Sequence, residues 1–184
     1  MAEEFIAAID LGGTNLKIAL LDLKFRVRHK EVLNTAGFTG RESLISAIVN
    51  SVTGILKENK LNKSSLLGVG LGLPGPIDYK KGIVHFFPNI PGWKHVRLKA
   101  VLQKRLKLPV FIDNDAKVMC LAEYRLGAAA GSKNALCVTL GTGVGGGIII
   151  DGSLYRGSSN AAGEIGHMPI NEKGPRCFHP GPMT

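Results

Sequence analysis

The sequence is poor in cysteine and in long apolar runs. Its 184 residues include three cysteines, Cys120, Cys137 and Cys177, which are widely separated and odd in number. This pattern does not indicate a disulfide framework, and it favours a reducing cytoplasm. No run approaches the roughly 20 apolar residues of a membrane-spanning helix, and residues 1–4 lack the basic start of a signal peptide. We therefore expect a cytoplasmic protein with no membrane partner.

Acidic residues are also scarce relative to basic ones. The chain has 14 of the former and 23 of the latter, which gives a formal net charge of +9. The basic side chains concentrate in residues 24–30 and 94–107. A basic surface can attract nucleic acid, but no nucleic-acid motif is visible. The charges of the second stretch alternate with apolar residues at helical spacing, so we interpret it as a solvated helix face and expect no nucleic-acid partner.

Glycine, in contrast, is abundant and is concentrated in two loops. Residues 10–15 read DLGGTN and residues 140–147 read LGTGVGGG, and each loop lies between two apolar, strand-like runs. Glycine can adopt positive φ and lets the backbone approach a ligand closely. Successive backbone N–H groups in such a turn form a concave anion site. Two such hairpins predict a clamp that holds one polyphosphate from opposite sides.

The order of predicted elements indicates an α/β protein. Three strands at residues 5–10, 16–22 and 26–34 precede a helix that we expect to begin with a capping box formed by Thr39 and Glu42. A strand at 66–71, a Pro- and Gly-rich loop at 72–93, a helix at 96–106, a strand at 109–112 and a helix from Asp113 to about Gly127 follow, before the second glycine hairpin.

This order, βββαβαβα followed by a second hairpin, resembles the actin-like ATPase (ribonuclease H-like) fold. In that fold two related lobes hold nucleotide between them. We expect residues 1–130 to form a complete first lobe and residues 131–184 to begin the second.

Specific motifs then indicate a family. The chain resembles the ROK family of sugar kinases and repressors, and within it the bacterial glucokinases. The matching segments are DLGGTNLKIAL from Asp10, GLGLPGPID from Gly70, PNIPGW from Pro88, IDNDAKVMCLAEYRLGA from Ile112, VTLGTGVGGGIIIDGSLYRG from Val138 and AGEIGHMP from Ala162. They occur in the family's order and at its spacing.

The end of the chain departs from the family pattern. Members carry a cysteine cluster after the GH motif, and only its first cysteine, Cys177, is present. The resemblance implies zinc ligation by His167 and Cys177; His179 could also ligate, but Thr184 cannot replace a thiolate. We expect zinc to bind weakly, and we expect the chain to be a truncated or frame-shifted member, or a fragment, with little kinase activity alone.

The resemblance implies that Asp115 is the catalytic base. General bases contribute roughly 10²–10⁴-fold to such reactions. Local sequence alone favours the interpretation that Asp115 is merely an acid at a helix start, and the resemblance reverses this preference. With Asn114 as the N-cap, the helix dipole favours the ionised form of Asp115 and predicts a depressed pKa.

The same resemblance implies the sugar site. Asn89 and Asn114 offer the amide donors and acceptors that sugar hydroxyls need, and Asp115, Glu164 and His167 complete the set. The alternatives are a turn residue at Asn89, a solvated side chain at Glu164 and a structural histidine at His167. His29, His85 and His95 belong to no recognisable site.

ATP and Mg²⁺ are the implied cofactors. Asp10 is placed to hold Mg²⁺ through water. The implied phosphate contacts come from Gly12, Gly13 and Thr14 in the first loop and from Thr142, Gly143 and Gly145 in the second. Lys17 is left out of the site because strand alternation directs it to solvent.

The sequence thus predicts an ATP-dependent hexose kinase that converts glucose to glucose 6-phosphate, and the family suggests a homo-oligomer. An N-acetylmannosamine, N-acetylglucosamine or fructose kinase is the alternative enzyme. A sugar-responsive repressor is a weaker alternative, because the first strand begins by Phe5 and leaves no room for an N-terminal helix-turn-helix. The last alternative is a non-catalytic remnant that binds sugar.

Overall fold

The computed structural model describes residues 3–87, 90–141, 143–171 and 173–174. In chain order the elements are β1 (Phe5–Leu11), β2 (Asn15–Asp22), β3 (Val27–Asn34), α1 (Arg41–Glu58), β4 (Leu66–Leu73), β5 (Ile77–Asp78), β6 (Ile83–Phe86), β7 (Lys94–Val96), α2 (Leu98–Leu106), β8 (Val110–Asn114), α3 (Asp115–Leu126), β9 (Ala135–Leu140), β10 (Val144–Ile150) and β11 (Ser153–Tyr155). Within these described ranges no helix is long and apolar enough to cross a membrane.

A five-stranded sheet forms the centre of the molecule. Its strand order is β3-β2-β1-β4-β8. The first three strands run antiparallel as a meander, and β4 and β8 then run parallel to β1. Alternate residues of β1 and β2 are buried, as expected where a strand presents one face to a core. The predicted meander is therefore confirmed.

Helix α1 covers one face of this sheet. Apolar residues recur along it at helical intervals, and four of them at this spacing are all buried: Leu44, Ile48, Val52 and Ile55. The predicted capping box is wrong. Gly40 is the N-cap, and the Ser43 hydroxyl accepts from its N–H at 3.2 Å and donates to its carbonyl at 2.8 Å. Glu42 instead accepts two hydrogen bonds from Arg105 of α2, at 2.6 and 2.9 Å.

Residues 72–93 are not the long loop that the sequence predicts. They contain β5 and β6, which form a small antiparallel sheet with β7. These strands have two to four residues each, too few for an alternating pattern to stand out among the prolines and glycines. Because β7 occupies residues 94–96, α2 begins at Leu98 rather than at Val96.

The second glycine hairpin is part of a three-stranded sheet of order β11-β10-β9. Its inner face packs on α3 through glycines of β10. A Cβ on Gly147 would collide with the Cβ of Cys120, and one on Gly145 would lie 2.9 Å from the Cβ of Ala116. Ile149 is only 1% exposed, whereas Leu140 on the outer face is 82% exposed.

This close contact predicts a difference between two glycine-to-alanine substitutions. Gly147→Ala should lower the free energy of unfolding by about 1–3 kcal/mol, because the added methyl overpacks the β10–α3 contact. Gly141→Ala is the matched control: a Cβ there meets no described atom within 4 Å, and φ lies outside the left-handed region. The control should be neutral or slightly stabilising. Urea unfolding of both variants tests this, and equal stabilities would contradict it.

Candidate active site

A row of four facing residues crosses the large sheet near the ends of its strands. The register places Lys17 of β2 opposite Asp10 of β1, Asp10 opposite Gly72 of β4, and Gly72 opposite Asp113 of β8. The Lys17 Nζ lies 3.3 Å from Asp10 Oδ2, so Lys17 belongs to this edge of the sheet although the sequence argument left it out. Asp10 is the penultimate residue of β1, and its side chain is 54% exposed.

Asp115 begins α3 directly beside this row. A Cβ on Gly72 would lie 3.5 Å from the Cα of Asp115, so the missing side chain leaves room for the helix start. Asn114 is the N-cap, as predicted, and its Oδ1 accepts from the Lys117 N–H at 3.2 Å. Its Nδ2 donates to the Gly75 carbonyl at 3.3 Å. The Asp115 Oδ1 accepts from the Ala116 N–H at 2.8 Å.

The prediction that the pKa of Asp115 is depressed is wrong. Burial raises the pKa of Asp115 above its ordinary value, and the negative charges of Asp10 and Glu164 raise it further. The hydrogen bond from Ala116 opposes these effects without cancelling them. The helix dipole acts in the opposite direction, but the local sequence does not show that two other carboxylates, far apart in the chain, lie close to Asp115.

Glu164 reaches this cluster from the segment that follows the second sheet. Gly163, with φ of +86°, packs on the carbonyl of Gly146, and a Cβ on Gly166 would collide with the carbonyl of Val144. The GEIGH segment therefore lies closely against β10. It turns as a short 3-10 helix over Ile165–His167, so Glu164 precedes the turn and His167 ends it.

Lys117 is a site residue that sequence reasoning missed. Its side chain is only 3% exposed, and its Nζ lies 3.3 Å from Oε1 of Glu164, whose side chain is 45% exposed. A buried lysine needs a compensating charge, and Glu164 supplies it. The available signal was a lysine in the first turn of a helix, where the dipole disfavours a cation. Lys117 thus links α3 to the GEIGH segment.

The first glycine loop is held by Thr35, which the sequence argument also missed. The Thr35 N–H donates to the Thr14 carbonyl at 2.9 Å, and its hydroxyl donates to the Gly13 carbonyl at 2.8 Å. Gly12 does not adopt left-handed φ, so the expected positive φ is wrong there. A Cβ on Gly12 would meet only the Asn15 carbonyl, at an ordinary 3.5 Å.

The second loop is short, and its glycines have different surroundings. The Gly141 N–H donates to the Gly143 carbonyl at 3.0 Å. A Cβ on Gly143 would meet no described atom within 4 Å. Gly145 does not adopt left-handed φ either; its small size is required by the contact with Ala116 instead.

Three of the predicted site residues, Asn89, Thr142 and Cys177, lie outside the described residues, as does His179. The expected zinc site is therefore not tested. In the part of the chain that the structure describes, no group of three or more His, Cys, Asp or Glu side chains could hold a metal ion. Cys120 is buried, whereas Cys137 is only partly buried.

Arg156 joins the second sheet region to the large sheet. Its Nη2 lies 2.6 Å from Oδ2 of Asp113, and its guanidinium stacks 3.9 Å from the ring centre of Tyr79. Asp113 Oδ1 also accepts from the Asn114 N–H at 2.9 Å. Arg156 therefore braces the junction of β8 and α3, where Asn114 and Asp115 lie. Arg156 falls within the family segment that starts at Val138, but its local sequence gives no sign of this ion pair.

The ROK family pattern matches residues 6–181. The chain belongs to the ROK family. It is 38% identical over 174 residues to a glucokinase of Halalkalibacterium halodurans, a match that covers 95% of this chain and 52% of the relative. It is also 33% identical over 172 residues to a xylose repressor of Caldicellulosiruptor bescii, which covers 94% of this chain and 43% of that one.

Solved structures agree with this assignment. The ROK family glucokinase of Streptomyces griseus, in complex with glucose and AMPPNP, matches with a TM-score of 0.79 and 35% identity, over 91% of this chain and 51% of that one. The predicted ROK membership and actin-like α/β fold are thereby confirmed. The chain spans about half the length of the relatives it matches.

The raised pKa of Asp115 has a consequence for stability. The native state holds this proton more tightly than the unfolded chain does, so stability is lost as pH rises above the ordinary value of 3.8. Asp115→Asn keeps the acceptor for the Ala116 N–H and removes the charge. It should therefore make the fold more stable than the wild type at about pH 7, and the gain should shrink at about pH 4.5.

Asp22→Asn is the control, because the pKa of Asp22 is shifted in the opposite direction to that of Asp115. Burial alone would raise the pKa of Asp22, but hydrogen bonds from the backbone and side chain of Arg26 lower it to about 2. Its carboxylate stabilises the fold above the ordinary pKa, and this contribution is lost only as pH falls through about 2. Asp22→Asn should therefore be less stable than the wild type at both pH values. A destabilised Asp115→Asn at neutral pH in urea unfolding would contradict the account.

Proposed function

We propose that the chain forms the sugar-binding and phosphate-binding half of an ATP-dependent hexose kinase, with glucose as the acceptor. The observation that carries the proposal is the position of Asp115. It lies half-buried between the carboxylates of Asp10 and Glu164, and both raise its pKa. A carboxyl group of raised pKa beside two glycine loops fits a general base for transfer of a phosphoryl group to an alcohol.

The raised pKa makes Asp115 a stronger base than the sequence alone suggested. A base works best when its pKa is near the operating pH. In phosphoryl transfer the transition state is loose, so the hydroxyl proton can leave late and the base need only be correctly placed. We assign Asp115 to accept the proton of the 6-hydroxyl group of glucose.

Sugar recognition is assigned to polar groups around Asp115. Glu164 is oriented by the buried Lys117 Nζ at 3.3 Å and is exposed enough to accept from sugar hydroxyls. The Asn114 Nδ2 has two hydrogens, and one of them is directed to the Gly75 carbonyl. Asn89 and His167 complete the proposed set, on the strength of the family resemblance.

Phosphate binding is assigned to the two glycine loops. Packing inside the described chain does not require glycine at Gly12 or Gly143, and close approach of a phosphate would explain both. Gly13, Thr14, Thr142 and Gly145 are proposed to contribute with them. The exposed Asp10 carboxylate suits Mg²⁺ held through water, because Mg²⁺ takes few carboxylates and keeps several waters. Bound Mg²⁺ would offset the phosphate charge.

The organisation of the chain supports the same proposal. The large sheet and its helices lie within residues 1–130, and the second sheet lies within residues 131–184. We propose that these are the first lobe and the beginning of the second. The remainder of a relative's length would then supply the adenine side of the nucleotide site, and a homo-oligomer is proposed from the family alone.

A sugar-responsive regulator is the second candidate, because the chain is also 33% identical to a xylose repressor. Such a protein would need the sugar contacts but no base. Both candidate functions therefore require Glu164 for sugar binding, but only the kinase requires Asp115 as a base. Two experiments test these two requirements in turn.

Sugar binding is measured first, on the chain itself. Trp93, the single tryptophan, packs against Phe87 with ring centres 4.3 Å apart, and Asn89 lies between these two residues in the sequence. Glucose should change its fluorescence. Glu164→Gln should weaken binding by about tenfold or more, since a hydrogen bond to a charged group contributes about 1.5–3 kcal/mol. Glu31→Gln, on the far edge strand β3, is the control. Equal affinities for all three proteins would contradict the assignment of Glu164.

Turnover then separates kinase from regulator. Formation of glucose 6-phosphate is measured for the chain alone and with the C-terminal half of the H. halodurans glucokinase supplied in trans, using glucose, fructose, N-acetylglucosamine and N-acetylmannosamine. We expect little turnover from the chain alone. In the combined preparation Asp115→Asn should lower kcat by about 10²–10⁴-fold, with sugar affinity retained. Asp151→Asn, an exposed aspartate in the β10–β11 turn, is the matched control. If the turnover of Asp115→Asn lies within tenfold of the wild type, the general-base role of Asp115 is excluded.

A further inference from the structure

Two histidines that the sequence argument left without a role face each other on the small sheet. In the β6–β7 pair, Val84 is opposite Val96 and Phe86 is opposite Lys94. His85 and His95 lie between these two pairs. Val84 and Val96 are buried, so strand alternation sends the two imidazoles to the opposite face.

The two imidazole rings are close, and the Nδ1 atom of each faces the Nδ1 atom of the other. The Nδ1 atoms are 2.9 Å apart, the ring centres are 5.0 Å apart and the ring planes are nearly perpendicular, at 87°. In the neutral pair one Nδ1 donates and the other accepts. When both rings carry their proton on Nε2 instead, each Nδ1 has a free lone pair, as a metal ligand requires.

We propose that His85 and His95 chelate a divalent transition-metal ion of the class that prefers imidazole nitrogen and square-planar or tetragonal geometry, as Cu²⁺ and Ni²⁺ do. With metal–nitrogen bonds of about 2.0–2.1 Å, two nitrogens at adjacent corners of a square are separated by about 2.9 Å. The separation of the two Nδ1 atoms is therefore already that of two adjacent ligands.

The surroundings fit an ion that keeps part of its water shell. His95 is exposed and His85 is partly exposed, so an ion can enter from solvent. No third His, Cys, Asp or Glu of the described chain completes a three-ligand group there. Water would fill the remaining positions. Asp78, on the neighbouring strand β5, adds negative charge nearby, although its carboxylate is engaged by Lys81.

This site is distinct from the one that the resemblance implies for zinc. His167 and Cys177 follow the second sheet in the sequence, whereas His85 and His95 belong to β6 and β7. A metal bound by His85 and His95 would cross-link these two strands.

The test is isothermal titration calorimetry of the full chain with Ni²⁺, in a Cys177→Ser background that removes the competing thiolate. One Ni²⁺ per chain is expected. His85→Gln and His95→Asn should each weaken binding by at least about tenfold, because even the loss of a group that only supports a metal ligand has a cost of this size. Asn is chosen at position 95 because φ there is +50° and Asn tolerates that region.

His29→Gln is the matched control. His29 lies on β3 of the large sheet and is also partly exposed, but Asn59 and Glu58 at the end of α1 contact its ring. Its replacement should leave Ni²⁺ binding unchanged. Metal-free thermal unfolding checks that each variant folds. Electron paramagnetic resonance of the Cu²⁺-loaded Cys177→Ser chain counts the nitrogen ligands directly. Two nitrogen ligands, reduced in number by His85→Gln, would support the proposal. Fewer than two nitrogens, or equal Ni²⁺ affinity in all variants, would overturn it.

Discussion

The close approach of β10 to α3 is the contact on which the site depends. Helix α3 begins at Asp115 and packs its inner face on the second sheet, and the contact is possible only because Gly145 and Gly147 have no side chains. The GEIGH segment lies against the same strand through Gly163 and Gly166. A chain of glycine contacts therefore brings Glu164 to Lys117 and places its carboxylate near Asp115. Larger residues at these positions would separate the two parts of the site.

The site itself is an arrangement of unlike charges around one acid. Asp10 is paired with Lys17, and Glu164 is paired with Lys117. Asp115 lies near both acids but is paired with neither lysine among the ion pairs of the described chain, and its pKa is raised. The two paired carboxylates thus lie near Asp115, which holds its proton more readily than an ordinary aspartate does. The fold tolerates this loss of stability because β8 and α3 hold Asp115 in place.

The sequence predicted well wherever a signal was local and repeated. The meander of β1 to β3, the buried face of α1, the N-cap role of Asn114 and the second glycine hairpin all follow from patterns a few residues long. It failed where strands were too short to show a period, as in β5 to β7, and where a side chain had a distant alternative partner. Glu42 is such a case, because Arg105 of another helix competes for the carboxylate that the capping box would use.

Some properties of this protein were therefore determined by sequence alone: the family, the order of the longer strands and helices, and the choice of Asp10, Asp115 and Glu164 as candidate site acids. Only the tertiary structure decided the direction of the pKa shift at Asp115 and the pairing of His85 with His95. It also decided that Lys17 and Lys117 belong to the candidate site. The physical reason is that burial and electrostatic interaction depend on distance in space. Asp10 and Glu164 are more than a hundred residues apart in the chain, and folding alone brings both to Asp115.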